Sequence, residues 1–134
     1  LAAEHLNAGL YPSLGSRRYY SVLALSDVMI GNSSSGIWEA PSFRLPVVNV
    51  GERQRGRVRA GNVIDVDFDS EAIRAAVSQA LDPAFRAGLG GLQNPYGDGR
   101  ASERIVRMLK EVELGTTLLV KRFCDQSGAP TACP

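Results

Sequence analysis

The chain's 134 residues are enough for one domain with a core of its own, and 44% hydrophobic with 22% charged content is ordinary for a globular protein. A formal net charge of +1 argues against a general nucleic-acid or membrane-surface binder. No apolar run reaches transmembrane length and no charged-then-apolar leader opens the chain, so a cytoplasmic protein without a membrane partner is expected.

Leu1 to Asn7 reads as the tail of a preceding element, which together with the abrupt start suggests a fragment. His5, the single histidine, reads as a surface residue, since no second histidine joins it as a ligand. Leu10 to Leu14 is expected to be a short strand ending at Gly15. Ser16 is a plausible N-cap for a helix through Ser26, with Tyr19, Tyr20, Val22, Leu23 and Ala24 on its apolar side. Val28-Met29-Ile30 is long enough for a buried strand. Gly31 to Gly36 is then a turn of small polar residues, and a short helix begins at Ile37 and runs to about Phe43.

Strand, small-residue turn and helix together bring free backbone N–H groups and a positive helix end to bear on an anion. Ser33, Ser34 and Ser35 add hydroxyl donors with little bulk, and Glu39 lies about one turn further in, where a carboxylate can accept from a sugar diol. A nucleotide-sugar diphosphate site is the functional reading; a capped helix in any α/β fold is the other. The stretch Gly31 to Gly36 is one residue too long for a nucleophile elbow, and His5 precedes the serines, the wrong order for an α/β hydrolase. No Lys follows the second Gly, which excludes a Walker A loop, and G-x-G-x-x-G is absent. The Asn32-Ser33-Ser34 sequon falls in a turn expected to be buried, so it is not read as a glycosylation site.

Pro46 to Val50 is the next apolar strand. Glu52 to Arg59 follows, with arginines at 53, 55, 57 and 59; if extended, this segment would project all four to one side as a cationic strip. A solvated basic loop is the alternative. Ligands of open parallel sheets collect at the carboxyl ends of strands, so this loop and the serine turn are expected to share a rim, where an Arg could fork onto phosphate oxygens. Asn62 to Val66 is a further strand. Asp69 or Ser70 caps a helix to Leu81 with Ala72, Ile73, Ala76, Val77 and Ala80 on one face. Asp82-Pro83 ends it, Ala84 to Gly88 makes a short helical turn, and Gly90 to Gly99 is a loop. Asp98 or Gly99 opens a helix with Ile105, Met108, Leu109 and Val112 at helical spacing. Gly115 breaks it, Thr116 to Asp125 forms a last helix, and Gln126 to Pro134 is expected to be a disordered tail. Cys124 and Cys133 have no partners at metal-ligand spacing and read as free thiols; no metal or cofactor is expected. Alternating strands and helices indicate an α/β fold, a parallel sheet of about four strands with helices on both faces.

The runs Gly31 to Phe43, Pro46 to Gly51 and Arg53-Gln54-Arg55-Gly56-Arg57 closely resemble the hydrolysing UDP-N-acetylglucosamine 2-epimerases, and so do Pro12 to Gly15 and Asn94 to Gly99. The likeness extends to about Asp125. Non-hydrolysing epimerases have an Asp-Ser-Gly-Gly turn here and lack the Arg-Gln-x-Gly-Arg segment. Arg44, usually a smaller residue, and Trp38 depart from the pattern.

The resemblance implies a Rossmann-like domain, residues 1–125, forming the C-terminal, UDP-holding half of a glycosyltransferase-B arrangement. Its partner would be the N-terminal domain of the same enzyme, which would be a homo-oligomer when complete. Ser33 and Ser34 match the diphosphate-binding positions, Glu39 the ribose carboxylate, Arg53 the arginine at the nucleotide, and Leu14 the position whose backbone lies beside the uracil. The reaction implied is elimination of UDP to a glycal, then hydration to N-acetylmannosamine and free UDP, for sialic or related nonulosonic acid synthesis. UDP-N,N'-diacetylbacillosamine is the alternative substrate, and a glycosyltransferase domain or a non-catalytic nucleotide-sugar-binding module the alternative roles. The family's acid and base carboxylates and its early histidine have no match here. His5 lacks the His-Arg context, so no catalytic residue is assigned and the isolated chain is expected to be inactive.

Overall fold

Three short, mostly apolar runs become three parallel strands, β1 (Met29–Gly31), β2 (Val47–Val50) and β3 (Val63–Val66), in the order β1-β2-β3. The computed structural model describes residues 7–120, which divide into two units at Asp98 and Gly99. His5, Cys124, Cys133 and the expected tail lie outside the described residues. In register, Met29, Val47 and Val63 are aligned, as are Ile30, Val48 and Ile64. All four residues of β2 are buried, the mark of a central parallel strand covered on both faces.

Side chains alternate across that strand, and two cores result. Val47 joins Leu23, Ala40 and Leu45, with Tyr19, Met29, Phe43 and Val63 packed around them. Val48 and Val50 join Ala76 and Ala80 on the other face, with Ile64, Val66, Ile73 and Val77. Helix α1 (Gly15–Leu25) therefore serves one face and α3 (Ser70–Leu81) the other, an α/β Rossmann-like arrangement as expected. Between them come α2 (Ser35–Trp38) and a 3₁₀ turn over Ala40–Phe43; after them comes α4 (Pro83–Gly88). Asn62, fully buried, ties the start of β2: its Nδ2 donates to the Leu45 carbonyl at 2.8 Å, and its own carbonyl accepts from Val47 N–H at 2.8 Å.

Local chemistry accounts for the ends of α3. Asp69 accepts from Ala72 N–H at 2.7 Å as N-cap, and Asp82 caps α4 by accepting from Ala84 and Phe85. Three expectations fail in this unit. Leu10 to Leu14 forms no strand; Leu10 and Tyr11 are 83% and 70% exposed, and with no buried neighbour nothing favours pairing. Ser16 is not the cap of α1, which begins one residue earlier after Leu14. The sheet has three strands among the described residues, not about four.

The second unit contains α5 (Ala101–Glu111) and the four-residue α6 (Thr116–Leu119). Helical spacing places Ile105, Met108 and Leu109 on one stripe of α5, yet all three are exposed. None of the helices is long and apolar enough to cross a membrane among the described residues.

Candidate functional site

The serine turn begins where β1 ends. Ser33 Oγ accepts from Ser35 N–H at 3.3 Å, and the Ser33 carbonyl accepts from Gly36 N–H at 3.2 Å. The Ser34 carbonyl takes both Ile37 N–H and Trp38 N–H at 2.9 Å, so Ser34 is the N-cap of α2 through its backbone alone. The N–H groups of Ser33 and Ser34 donate to no acceptor among the described residues. Helix α2 is a single turn, so its dipole is small, and any anion met here would depend on these N–H groups and hydroxyls. Two anchors fix the turn. Ile37 is fully buried, and the Tyr19 hydroxyl on α1 is hydrogen-bonded to Ser35 Oγ. Gly36 allows α2 its close approach to the sheet: a Cβ there would lie 2.8 Å from Val47 Cγ1.

Leu14 is the N-cap of α1, five residues before Tyr19 and hence about 7.5 Å along the axis from the contact with the turn. Glu39 follows α2. Its Oε2 is covered and accepts no hydrogen bond, a costly state for a carboxylate oxygen.

The segment after β2 is not an extended strip. Gly51 takes a positive φ of 76°, Arg55 N–H donates to the Glu52 carbonyl at 2.8 Å, and Gly56 turns the chain again at φ 79°. The alternating arginines consequently point to different partners. Arg55 pairs with Glu52 at 2.7 Å on the exposed surface. The Arg57 guanidinium lies 5.2 Å from the Trp38 ring centroid, a cation–π distance. Arg59 donates to the carbonyls of Gln54 and Arg57 and sits 3.1 Å from Asp65 Oδ2 on β3. Arg53 is exposed and has no ion pair, hydrogen bond or ring contact among the described residues.

This loop does meet the serine turn, as its place after the neighbouring strand implied. Gln54, 2% exposed, donates through Nε2 to the Asn32 carbonyl at 2.7 Å. The segment at Asn94 braces both: Asn94 Nδ2 donates to the Trp38 carbonyl and to Ser42 Oγ at 2.7 and 2.8 Å, and the Tyr96 hydroxyl donates to the Val58 carbonyl at 3.0 Å. Tyr96 also packs its ring 5.9 Å from that of Trp38. The braced turn thus carries Ser33 and Ser34, with Glu39 just after α2; Arg53 is one residue from the Gln54 link on the arginine loop, and Leu14 caps the helix that anchors the turn. Sequence reasoning did not single out Tyr19, Gln54 or the Trp38–Arg57–Tyr96 cluster as parts of it.

A cavity of about 340 Å³ opens elsewhere, at the carboxyl ends of β2 and β3, lined by Gly51, Glu52, Arg55, Arg59, Asp65, Val66 and Asp67. None of the five nominated residues lines it. Two ion pairs already neutralise most of its charge, which leaves an anion no uncompensated cation there. Among the described residues no group of three or more His, Cys, Asp or Glu could hold a metal ion.

Comparison with known proteins gives this geometry a context. The profile of the UDP-N-acetylglucosamine 2-epimerase family matches residues 1–110. The chain belongs to that family. It is 44% identical over 119 residues to a UDP-N,N'-diacetylbacillosamine 2-epimerase (hydrolyzing) of Legionella pneumophila, an alignment covering 88% of this chain and 30% of the relative. A GDP/UDP-N,N'-diacetylbacillosamine 2-epimerase (hydrolyzing) of Campylobacter jejuni is 40% identical over the same shares. A UDP-N-acetylglucosamine 2-epimerase of Neisseria meningitidis is 31% identical, over 86% of this chain and 30% of its own length. The chain therefore spans about 30% of the length of these relatives. The 2-epimerase family match includes the serine turn, the arginine loop and the Asn94 segment together.

Proposed function

We propose that this chain is the UDP-binding part of a hydrolysing UDP-sugar 2-epimerase, the C-terminal Rossmann-like half of a glycosyltransferase-B-type enzyme. One observation carries the reading: Arg53, uncompensated among the described residues, is tied through its neighbour Gln54 to a serine turn with free N–H groups. The Ser33 and Ser34 hydroxyls and N–H groups, with Arg53, would hold the diphosphate, and Glu39 Oε2 would gain from a ribose hydroxyl the donor it lacks. Leu14 backbone would lie beside the uracil. The open edge at β1, where Ile30 is 52% exposed, suits a domain whose sheet continues.

In the reaction a base removes the C2 proton of the sugar, and the C1–O bond breaks with its electron pair going to UDP. Water then adds to the resulting glycal, hydroxyl at C1 and a solvent proton at C2, on the face that gives the epimer. This chain's residues contribute by stabilising negative charge on the departing diphosphate. No carboxylate here is assigned as the acid or base; Glu39 is engaged by the ribose. A cytoplasmic, homo-oligomeric enzyme of sialic or related nonulosonic acid synthesis is the matching setting. Of the two substrates, UDP-N-acetylglucosamine and UDP-N,N'-diacetylbacillosamine, the second is favoured by the names of the 44% and 40% identical relatives.

The test is to incubate the complete protein with each UDP sugar in deuterated water without an acceptor. Release of UDP with a free sugar deuterated at C2 is expected. Strict dependence on an acceptor, or product without deuterium, would reject the epimerase reading in favour of a glycosyltransferase. The isolated 134-residue chain should bind UDP weakly and turn over neither sugar.

A further inference from the structure

We infer that Gln54 is the positioning residue that sets Arg53 against the serine turn; the inference rests on the nucleotide role proposed for that turn. Gln54 is an anomaly in its surroundings. The residues on either side of it, Arg53 and Arg55, are exposed, while its own side chain is 2% exposed, one of the largest fully buried in the fold. Burial of an amide is costly unless it is hydrogen-bonded; Gln54 Nε2 donates across 22 residues to the Asn32 carbonyl at 2.7 Å, while its Oε1 is buried without a partner among the described residues.

Three constraints converge on this one residue. Its side chain holds the serine turn. Its carbonyl accepts from Arg57 N–H at 3.3 Å and from Arg59 Nη2 at 3.1 Å, and Arg59 is in turn paired with Asp65 on β3. Gln54 therefore links the loop to the ends of two strands at once. Arg53 immediately precedes Gln54, and Ser33 immediately follows Asn32, so the bonded pair lies one residue from each functional group. Adjacent Cα atoms are a fixed ~3.8 Å apart, so the Gln54–Asn32 bond limits how far the Arg53 and Ser33 backbones can separate. Glutamine suits the task because its amide supplies a donor to a carbonyl; an ionised glutamate is acceptor-only and would set oxygen against oxygen. Asparagine is one methylene shorter and would not span the gap with the loop in place.

The role separates from mere packing by its dependence on Arg53. In the complete protein, Gln54→Met keeps the volume and removes the donor. It should weaken UDP binding about five- to tenfold by calorimetry. In an Arg53→Ala background the same change should cost less than in the parent, because one of the two groups it positions is gone while the serine turn is still disturbed. Gln54→Glu should lose at least as much as Gln54→Met. Hydrogen exchange without ligand supplies an independent readout: amides of residues 52–57 should exchange faster in Gln54→Met. Equal affinity losses in both backgrounds, or an unchanged exchange rate, would overturn the inference. If Arg53→Ala itself leaves UDP affinity intact, the nucleotide reading of Arg53 fails, and with it the positioning role. The exchange arm then reports only whether Gln54 holds the loop.

Discussion

Removing Arg53 and removing Arg59 should have opposite signatures, because one guanidinium has no partner among the described residues and the other bonds two backbone carbonyls and pairs with Asp65. Arg53→Ala deletes an exposed side chain with no partner among the described residues, so the melting temperature should stay the same. If the guanidinium meets the diphosphate, its charge-assisted bonds are worth about 1.5–3 kcal/mol, and UDP affinity should fall roughly ten- to a hundredfold. Arg59 is 27% exposed, makes two bonds to backbone carbonyls and lies against Asp65. Its loss frees two carbonyls and a carboxylate at a partly wet site, a cost on the order of 1–3 kcal/mol of stability. Arg59→Ala should therefore lower the melting temperature by several degrees, while its effect on UDP affinity stays below that of Arg53→Ala. The assay is calorimetry with UDP at two salt concentrations beside a thermal scan of each variant of the complete protein. Equal, small affinity losses from both variants that vanish together at high salt would refute the reasoning: the loop would then act only as a diffuse positive field.

Gly36→Ala should destabilise the fold by about 1–3 kcal/mol in chemical denaturation, since its Cβ would fall 2.8 Å from Val47 Cγ1 in a buried contact and push the serine turn off the sheet. Arg44 ends the 3₁₀ turn at φ 53°, a left-handed conformation that costs a residue with a Cβ about 1–2 kcal/mol. Arg44→Gly should therefore raise the denaturation midpoint slightly, by about 0.5–1 kcal/mol once glycine's extra unfolded freedom is offset; a lower midpoint would refute this. Gly51 has φ 76°, and a Cβ there would collide with the Phe68 ring, but Phe68 is 80% exposed and can swing away. Gly51→Ala should thus cost about 1–2 kcal/mol from backbone strain, nearly the same in a Phe68→Ala background; a cost that disappears there would place it in the ring contact instead.

The parts of the fold that were legible are those where burial acts on consecutive residues. Val47 to Val50 and Val63 to Val66 are mostly β-branched apolar runs, each with one polar residue (Asn49, Asp65), because β2 is covered on both faces and β3 in part. Helix α3 was legible from both ends and along one face: Asp69 caps it, Asp82 stops it, and Ala76 and Ala80 are buried at the spacing read from the sequence. Leu10 to Leu14 misled because an apolar, Pro-containing run has the composition of a strand whether or not a neighbouring strand exists to pair with it. The arginine spacing misled for a related reason. Period two places side chains on one side only if the backbone is extended, and the left-handed glycines at 51 and 56 fold it into turns. Gln54 was illegible because its partner is 22 residues away and its flanks are charged; nothing in local spacing marks a buried amide between two exposed arginines.

The turned loop also explains how four arginines coexist within seven residues. Two like charges ~6 Å apart in a high-dielectric setting repel by roughly 0.7 kcal/mol, so four gathered on one side would oppose the loop's own closure. Folding the loop sends each to a different surface, and three of them offset their charge locally: Arg55 with Glu52, Arg57 with the Trp38 ring, and Arg59 with Asp65. Those same contacts attach the loop to its own turn, to α2 and to β3. The cations that would have disrupted the loop become its fastenings, and the repulsion falls on no one but Arg53. If the serine turn holds a diphosphate as proposed, Arg53, the one of the four with no such partner among the described residues, would gain most from it, and the interactions that stabilise the loop would leave its affinity for phosphate to that residue.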